Sequence, residues 1–172
     1  AAALIWFTWT GGYASAFMAP TEILAEQHFA TLSGLLGPLG LRVGKLTGAM
    51  SAKEKRLAKE ALKNGEFDLI VGTHALFSED VEYARLGLVV TDEQHRFGVS
   101  QRSALIGKGE RPHVLVMSAT PIPRTLALII YGDLDVSVID ELPPGRQKVD
   151  TFAVDESYRQ RLNGFIRKQV GE

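Results

Sequence analysis

The feature that most constrains this chain is a set of short apolar runs without polar alternation, among them FDLIVGT, LGLVVTD and HVLVMSAT. A strand with one wet face alternates apolar and polar residues, so an uninterrupted run reads as a strand covered on both faces. Helix-period stretches separate several of these runs, which implies parallel βαβ units. The expected fold class is α/β, a doubly wound, mostly parallel sheet sandwiched by helices. Strands are expected at 13–20, 41–48, 67–73, 86–92, 113–120, 135–140 and 149–154. A helix from Thr21 should turn Ile23, Leu24, Phe29, Leu32 and Leu36 inward and stop at Gly37-Pro38. A second should run from Ser51 as N-cap, with Glu54 completing a capping box, Leu57, Ala58, Ala61 and Leu62 inward, and Gly65 past its end. Further helices are expected over 123–132 and 155–171.

The 172 residues suffice for one domain, or for one domain and the start of another. The chain has no cysteine, which excludes disulfides and thiolate metal sites and fits a cytosolic protein. A net charge of −1 gives no general attraction to nucleic acid, so any such binding must come from local groups. The opening AAALIWFTWTGGYASAFMAP is apolar but has no basic leader, and Gly11-Gly12 interrupts it, which argues against a signal peptide or a membrane span. Near DELPPGRQKV the pattern breaks into a Pro/Gly turn with charges, the best linker candidate.

Chemistry is concentrated just beyond the runs. Asp92 and Glu93 follow Leu88-Val89-Val90, at the sheet edge where ligands of open parallel sheets collect. One carboxylate there can hold a hydrated Mg²⁺ that bridges nucleotide phosphates, and its neighbour can orient or deprotonate a water. An arbitrary Asp-Glu after a strand is more often a solvated turn or a helix cap. The dense polar run through Gln94, His95 and Arg96 weighs against that. Ser118 and Thr120 place hydroxyls after HVLV, and Thr120-Pro121 also reads as an ordinary capped helix start. Pro20 and Thr21, the segment LTGAMS, and the segment VGTHALFS repeat one design: strand, small residue, hydroxyl, helix. A row of amides and hydroxyls suits a sugar-phosphate track read without sequence. His28, His74, His95 and His113 lie on different elements with no paired spacing, so no histidine-bound metal is expected.

The order APTEILAEQH, LTGAM, VGTHAL, DEQHRFGV and MSATPIPRTLA resembles superfamily 2 helicases, and within them the RecG family of bacterial branched-DNA helicases. Transcription-repair coupling factors share the RFGV and TPIPRTL elements, but their acidic motif tends to read DEEQRFGV, where this chain has His95 after Gln94. They are the alternative reading, beside a non-catalytic nucleotide-fold module. The resemblance implies a RecA-like, P-loop NTPase-type domain over 1–140, a linker over 141–147 and the start of a second such domain over 148–172. It implies ATP and Mg²⁺ as cofactors, branched or duplex DNA as partner of the whole protein, and a cytoplasmic, nucleoid-associated location. It assigns Mg²⁺ to Asp92 and the base to Glu93. Gln94 and His95 would couple the nucleotide to DNA, with Ser118, Ala119 and Thr120 as the coupling motif. Pro20, Thr21, Thr47, Gly48, Gly72, Thr73 and His74 would line the DNA track.

Such an enzyme needs a Gly-rich loop ending in Gly-Lys-Thr/Ser to cradle phosphates. Gly44-Lys45 is followed by Leu46 and Gly107-Lys108 by Gly109, and neither fits. The expectation is therefore of a chain that opens inside the helix after that loop. By itself it should turn over no ATP, bind DNA weakly or not at all, and self-associate through exposed edges.

Overall fold

The computed structural model describes residues 1–92, 112–119, 135–141, 143–146 and 149–171. The chain divides into two compact units, Ala1–Ile122 and Pro123–Glu172. The linker expected at 141–147 lies inside the second unit, and the expected helix over 123–132 lies outside the described residues.

In the first unit, helix α1 (Ala2–Thr10) leads through a turn at Gly12, φ +79°, into strand β1 (Ala14–Met18). Helix α2 (Glu22–Leu36) and a 3₁₀ turn (Gly37–Leu39) precede β2 (Val43–Leu46). Helix α3 (Ala52–Lys63), β3 (Leu69–Gly72), a 3₁₀ turn (His74–Phe77), β4 (Leu86–Thr91) and β5 (His113–Val116) follow. The five strands form one sheet in the order β2-β3-β1-β4-β5, and every pairing is parallel.

Both faces are covered, which is why the strands do not alternate. On one face Ile5 of α1 and Leu32 and Leu36 of α2 pack on Phe17, Leu69, Val71, Leu88 and Val90. On the other, Ala58 and Leu62 of α3, with Leu76 and Val81, pack on Ala16, Met18, Ile70 and Val89. Helix α3 starts with the full capping box: Ser51 Oγ accepts from the Glu54 N–H, and the Glu54 carboxylate accepts from the Ser51 N–H. Those bonds to Ser51 hold the Glu54 carboxyl below its ordinary value.

Two expected core positions are corrected. Ile23 is 73% exposed and Leu57 50% exposed. The buried positions of α2 are Ala25, Leu32 and Leu36, and those of α3 are Ala58 and Leu62. Each helix lies on a sheet flank along a narrower stripe than its apolar residues would allow.

In the second unit, a 3₁₀ turn (Glu156–Tyr158) and helix α4 (Arg159–Val170) take up the expected C-terminal helix, capped by Asp155 and closed by Gly171 at φ +84°. The strands expected at 135–140 and 149–154 do not form. Among the described residues of this unit no strand offers them a ladder, and an isolated extended segment gains nothing from its apolar side chains.

Candidate functional site

Parallel pairing brings all five carboxyl ends to one edge. The last paired row across the sheet is Leu46, Gly72, Met18, Thr91 and Val116. One residue beyond it come Thr47, Thr73, Ala19, Asp92 and Met117; two residues beyond come Gly48, His74, Pro20 and Ser118. Thr47, Thr73 and Asp92 thus share one row and Gly48, His74, Pro20 and Ser118 the next, with Gly72 one row inside and Thr21 and Ala119 one residue farther out. Glu93, Gln94, His95 and Thr120 lie outside the described residues.

The hydroxyl and glycine positions occupy the β2, β3 and β1 side of the edge. Thr47 and Thr73 are buried, whereas Gly48 and His74 are exposed. Thr21 caps α2, its Oγ1 accepting from the Leu24 N–H at 3.3 Å. Gly72 is required by packing, since a Cβ there would stand 2.0 Å from the Leu46 carbonyl oxygen. The loop after β2 is tied to α2 by Glu22, whose Oε1 accepts from the Ala49 N–H at 3.2 Å. The Thr73 and Thr91 hydroxyl oxygens are buried without a hydrogen-bond partner among the described residues.

The acid stands apart, on β4. Strand spacing puts it about 14 Å from the β2 end, three strands away. Its backbone is fixed by the sheet: the Asp92 N–H donates to the Met18 carbonyl at 3.0 Å, and the Met117 N–H to the Thr91 carbonyl at 2.9 Å. Its side chain meets helix α2. Asp92 Oδ2 is 2.8 Å from Nε2 of His28, both side chains half-buried, and the His28 ring packs 4.6 Å from that of Phe17. A carboxylate only accepts, so Nε2–H is the donor. Sequence reasoning weighed His28 only as a metal ligand and missed this pairing. The available signal was a polar residue between Ala25 and Leu32 in the stripe that α2 turns to the sheet.

Among the described residues no group of three or more His, Cys, Asp or Glu could hold a metal ion. A lone carboxylate suits a hydrated Mg²⁺, which keeps several waters and takes one or two protein oxygens, and does not suit Zn²⁺.

The model of the DEAD/DEAH box helicase family matches residues 1–129. The chain belongs to the DEAD/DEAH box helicase family. It is 53% identical over 162 residues to the ATP-dependent DNA helicase RecG of Synechocystis, covering 94% of the chain and 20% of that relative. It is 57% identical over 142 residues to the RecG of Streptococcus pneumoniae, covering 83% of the chain and 21% of that relative. A solved structure of RecG bound to a three-way DNA junction matches with a TM-score of 0.77 and 47% identity, over 92% of this chain and 21% of that one. The mycobacterial helicase Lhr, at 18% identity and a TM-score of 0.56, shares the fold alone. The chain thus spans about a fifth of the length of the curated relatives it matches. Among its described residues no helix is long and apolar enough to cross a membrane.

Proposed function

We propose that the chain is the body of the first motor domain of an ATP-dependent DNA helicase that remodels branched DNA, such as stalled replication forks and Holliday junctions. One observation carries the reading: the small and hydroxyl residues after β2 and β3 lie two to three strands along the sheet edge from the acid after β4. A phosphate track and a nucleotide acid need that separation, because a strand backbone and a triphosphate cannot share one position. The identity of about half to helicases named RecG supports the choice of DNA over other substrates.

In this reading Asp92 would hold Mg²⁺ through water, and Glu93 is the base that orients the attacking water. The ion, when bound, neutralises charge on the phosphate oxygens. Gln94, His95 and Ser118–Thr120 transmit nucleotide state, and Pro20, Thr21, Thr47, Gly48, Gly72, Thr73 and His74 contact the sugar-phosphate backbone. Residues 1–140 belong to the first motor domain, 141–147 to a linker and 148–172 to the start of the second, and the protein works in the bacterial cytoplasm. The 172 residues alone contain no Gly-Lys-Thr/Ser cradle, so they turn over no ATP and bind DNA weakly. Leu4, Trp6 and Phe7 on α1 are exposed apolar residues through which the chain alone self-associates.

The test compares ATP hydrolysis by the longest natural chain containing these residues on three-way junctions and on linear duplex. Junction-stimulated hydrolysis is expected. Equal rates with and without DNA would overturn the reading.

A further inference from the structure

Helix α2 turns Ala25, Leu32 and Leu36 into the core, and His28 falls in the same stripe at helical spacing, where an apolar residue would pack without cost. Its ring lies against Phe17, and its Nε2 lies 2.8 Å from Asp92 Oδ2. The Asp92 backbone is already locked into the sheet through the Met18 carbonyl. The ladder bond leaves the side-chain torsions of Asp92 unset, and the bond to His28 constrains them. We propose that His28 is a positioning residue: it fixes the Asp92 carboxylate in the orientation that receives the hydrated Mg²⁺. This rests on the functional reading above. A bond to His28 takes one of about four lone-pair positions on a carboxylate, so it does not itself block metal-bound water. Hydrogen-bond partners behind a ligating carboxylate commonly contribute 10–100-fold to metal affinity or activity.

The pairing also assigns a direction to the histidine. Were His28 a core histidine only, its ring would pack equally well with any group of similar shape, and its donor would not matter. His28→Phe keeps a ring against Phe17 and removes the donor. His28→Gln gives up the ring and restores a nitrogen donor at comparable reach. His28→Leu is a second donor-less form, should the Phe variant fold poorly.

The experiment uses the longest natural chain containing these residues. It measures the Mg²⁺ concentration for half-maximal ATP hydrolysis, the calorimetric affinity for ADP with and without Mg²⁺, and thermal unfolding. The expected result is about a tenfold rise in the Mg²⁺ requirement for His28→Phe or His28→Leu. The Mg²⁺-dependent part of ADP affinity should fall by the same factor, the Mg²⁺-free part should not change, and His28→Gln should return most of the loss. A Mg²⁺ requirement unchanged in a folded donor-less variant would overturn the proposal alone. So would a loss in all variants that tracks their unfolding temperatures, with no recovery by Gln. Absence of Mg²⁺-dependent nucleotide binding in the wild type would overturn the functional reading and this proposal together.

Discussion

At the amino edge of the sheet, Arg42 and Asp68 close the entrances of β2 and β3. Three hydrogen bonds reach the Asp68 carboxylate from Arg42, at 2.8, 2.9 and 2.8 Å, and the Asp68 N–H returns one to the Arg42 carbonyl at 2.9 Å. At the carboxyl edge the Thr73 and Thr91 hydroxyls are buried without a hydrogen-bond partner among the described residues, Gly72 packs against the Leu46 carbonyl, and the acid Asp92 is met by a histidine from α2. The same strands therefore end in two different ways. At the amino edge Arg42 and Asp68 satisfy each other, although the Ser15 hydroxyl there is buried with no hydrogen-bond partner among the described residues, and the carboxyl edge holds groups suited to a ligand. The difference teaches where stability and function should separate on substitution.

Asp92→Asn should separate the two edges most strongly. It removes a charge and leaves the shape, so hydrolysis by the longest natural chain should fall at least about a hundredfold. Thermal unfolding should move by no more than a few degrees, because the backbone ladder at Met18 is untouched. A large drop in unfolding temperature would make Asp92 a structural acid like Asp68.

Gly72→Ala probes a place where the carboxyl edge is as tightly packed as a core. The added methyl would meet the Leu46 carbonyl oxygen at 2.0 Å and the Leu76 side chain at 3.0 Å, and the oxygen belongs to a paired strand that cannot swing aside. A destabilisation of about 2–3 kcal/mol in chemical unfolding is expected. A neutral result would mean that β2 and β3 separate easily at their ends.

Asp68→Asn tests the other edge. Burial pushes the Asp68 carboxyl up, but the Arg42 hydrogen bonds and charge outweigh it and leave the group below its ordinary value. A carboxyl depressed in the folded state stabilises above its unfolded pKa, near 4, and loses that contribution as pH falls through the folded value. The variant should cost about 1–2 kcal/mol at neutral pH, discounted because Arg42 is half exposed. The gap to wild type should close below about pH 4. Hydrolysis should be unchanged, and a loss there would join the two edges into one functional unit.

What could be read without coordinates divides along the same line. Runs such as Leu69–Gly72 and Leu86–Thr91, and the Ser51–Glu54 box, are set by neighbours in sequence, so pattern sufficed. The strand order was not legible, because it depends on which way each crossover passes over the sheet. The place of Asp92 just past a strand was legible, but its contact with His28 was not, since His28 is 64 positions earlier and arrives by the docking of a helix. Residues 149–154 misled because their apolar content resembles a strand, while a strand also needs a neighbour.

Glu22 gives the smallest and most discriminating effect. Its carboxylate accepts from the Ala49 N–H and lies 2.9 Å from the place a Cβ on Gly48 would take, so a negative charge stands inside the row assigned to DNA phosphates. An amide at this position keeps an oxygen acceptor for Ala49 and removes the charge. Glu22→Gln should leave the unfolding temperature nearly unchanged and tighten duplex binding about threefold in low salt, the scale of one charge at several ångströms in a watery environment. Screening should erase the gain above about 0.3 M salt. Weaker binding instead would mean that the charged brace on the β2 loop matters more than its repulsion. In that case the carboxyl edge, like the amino edge, would depend on an internal ion to hold its shape.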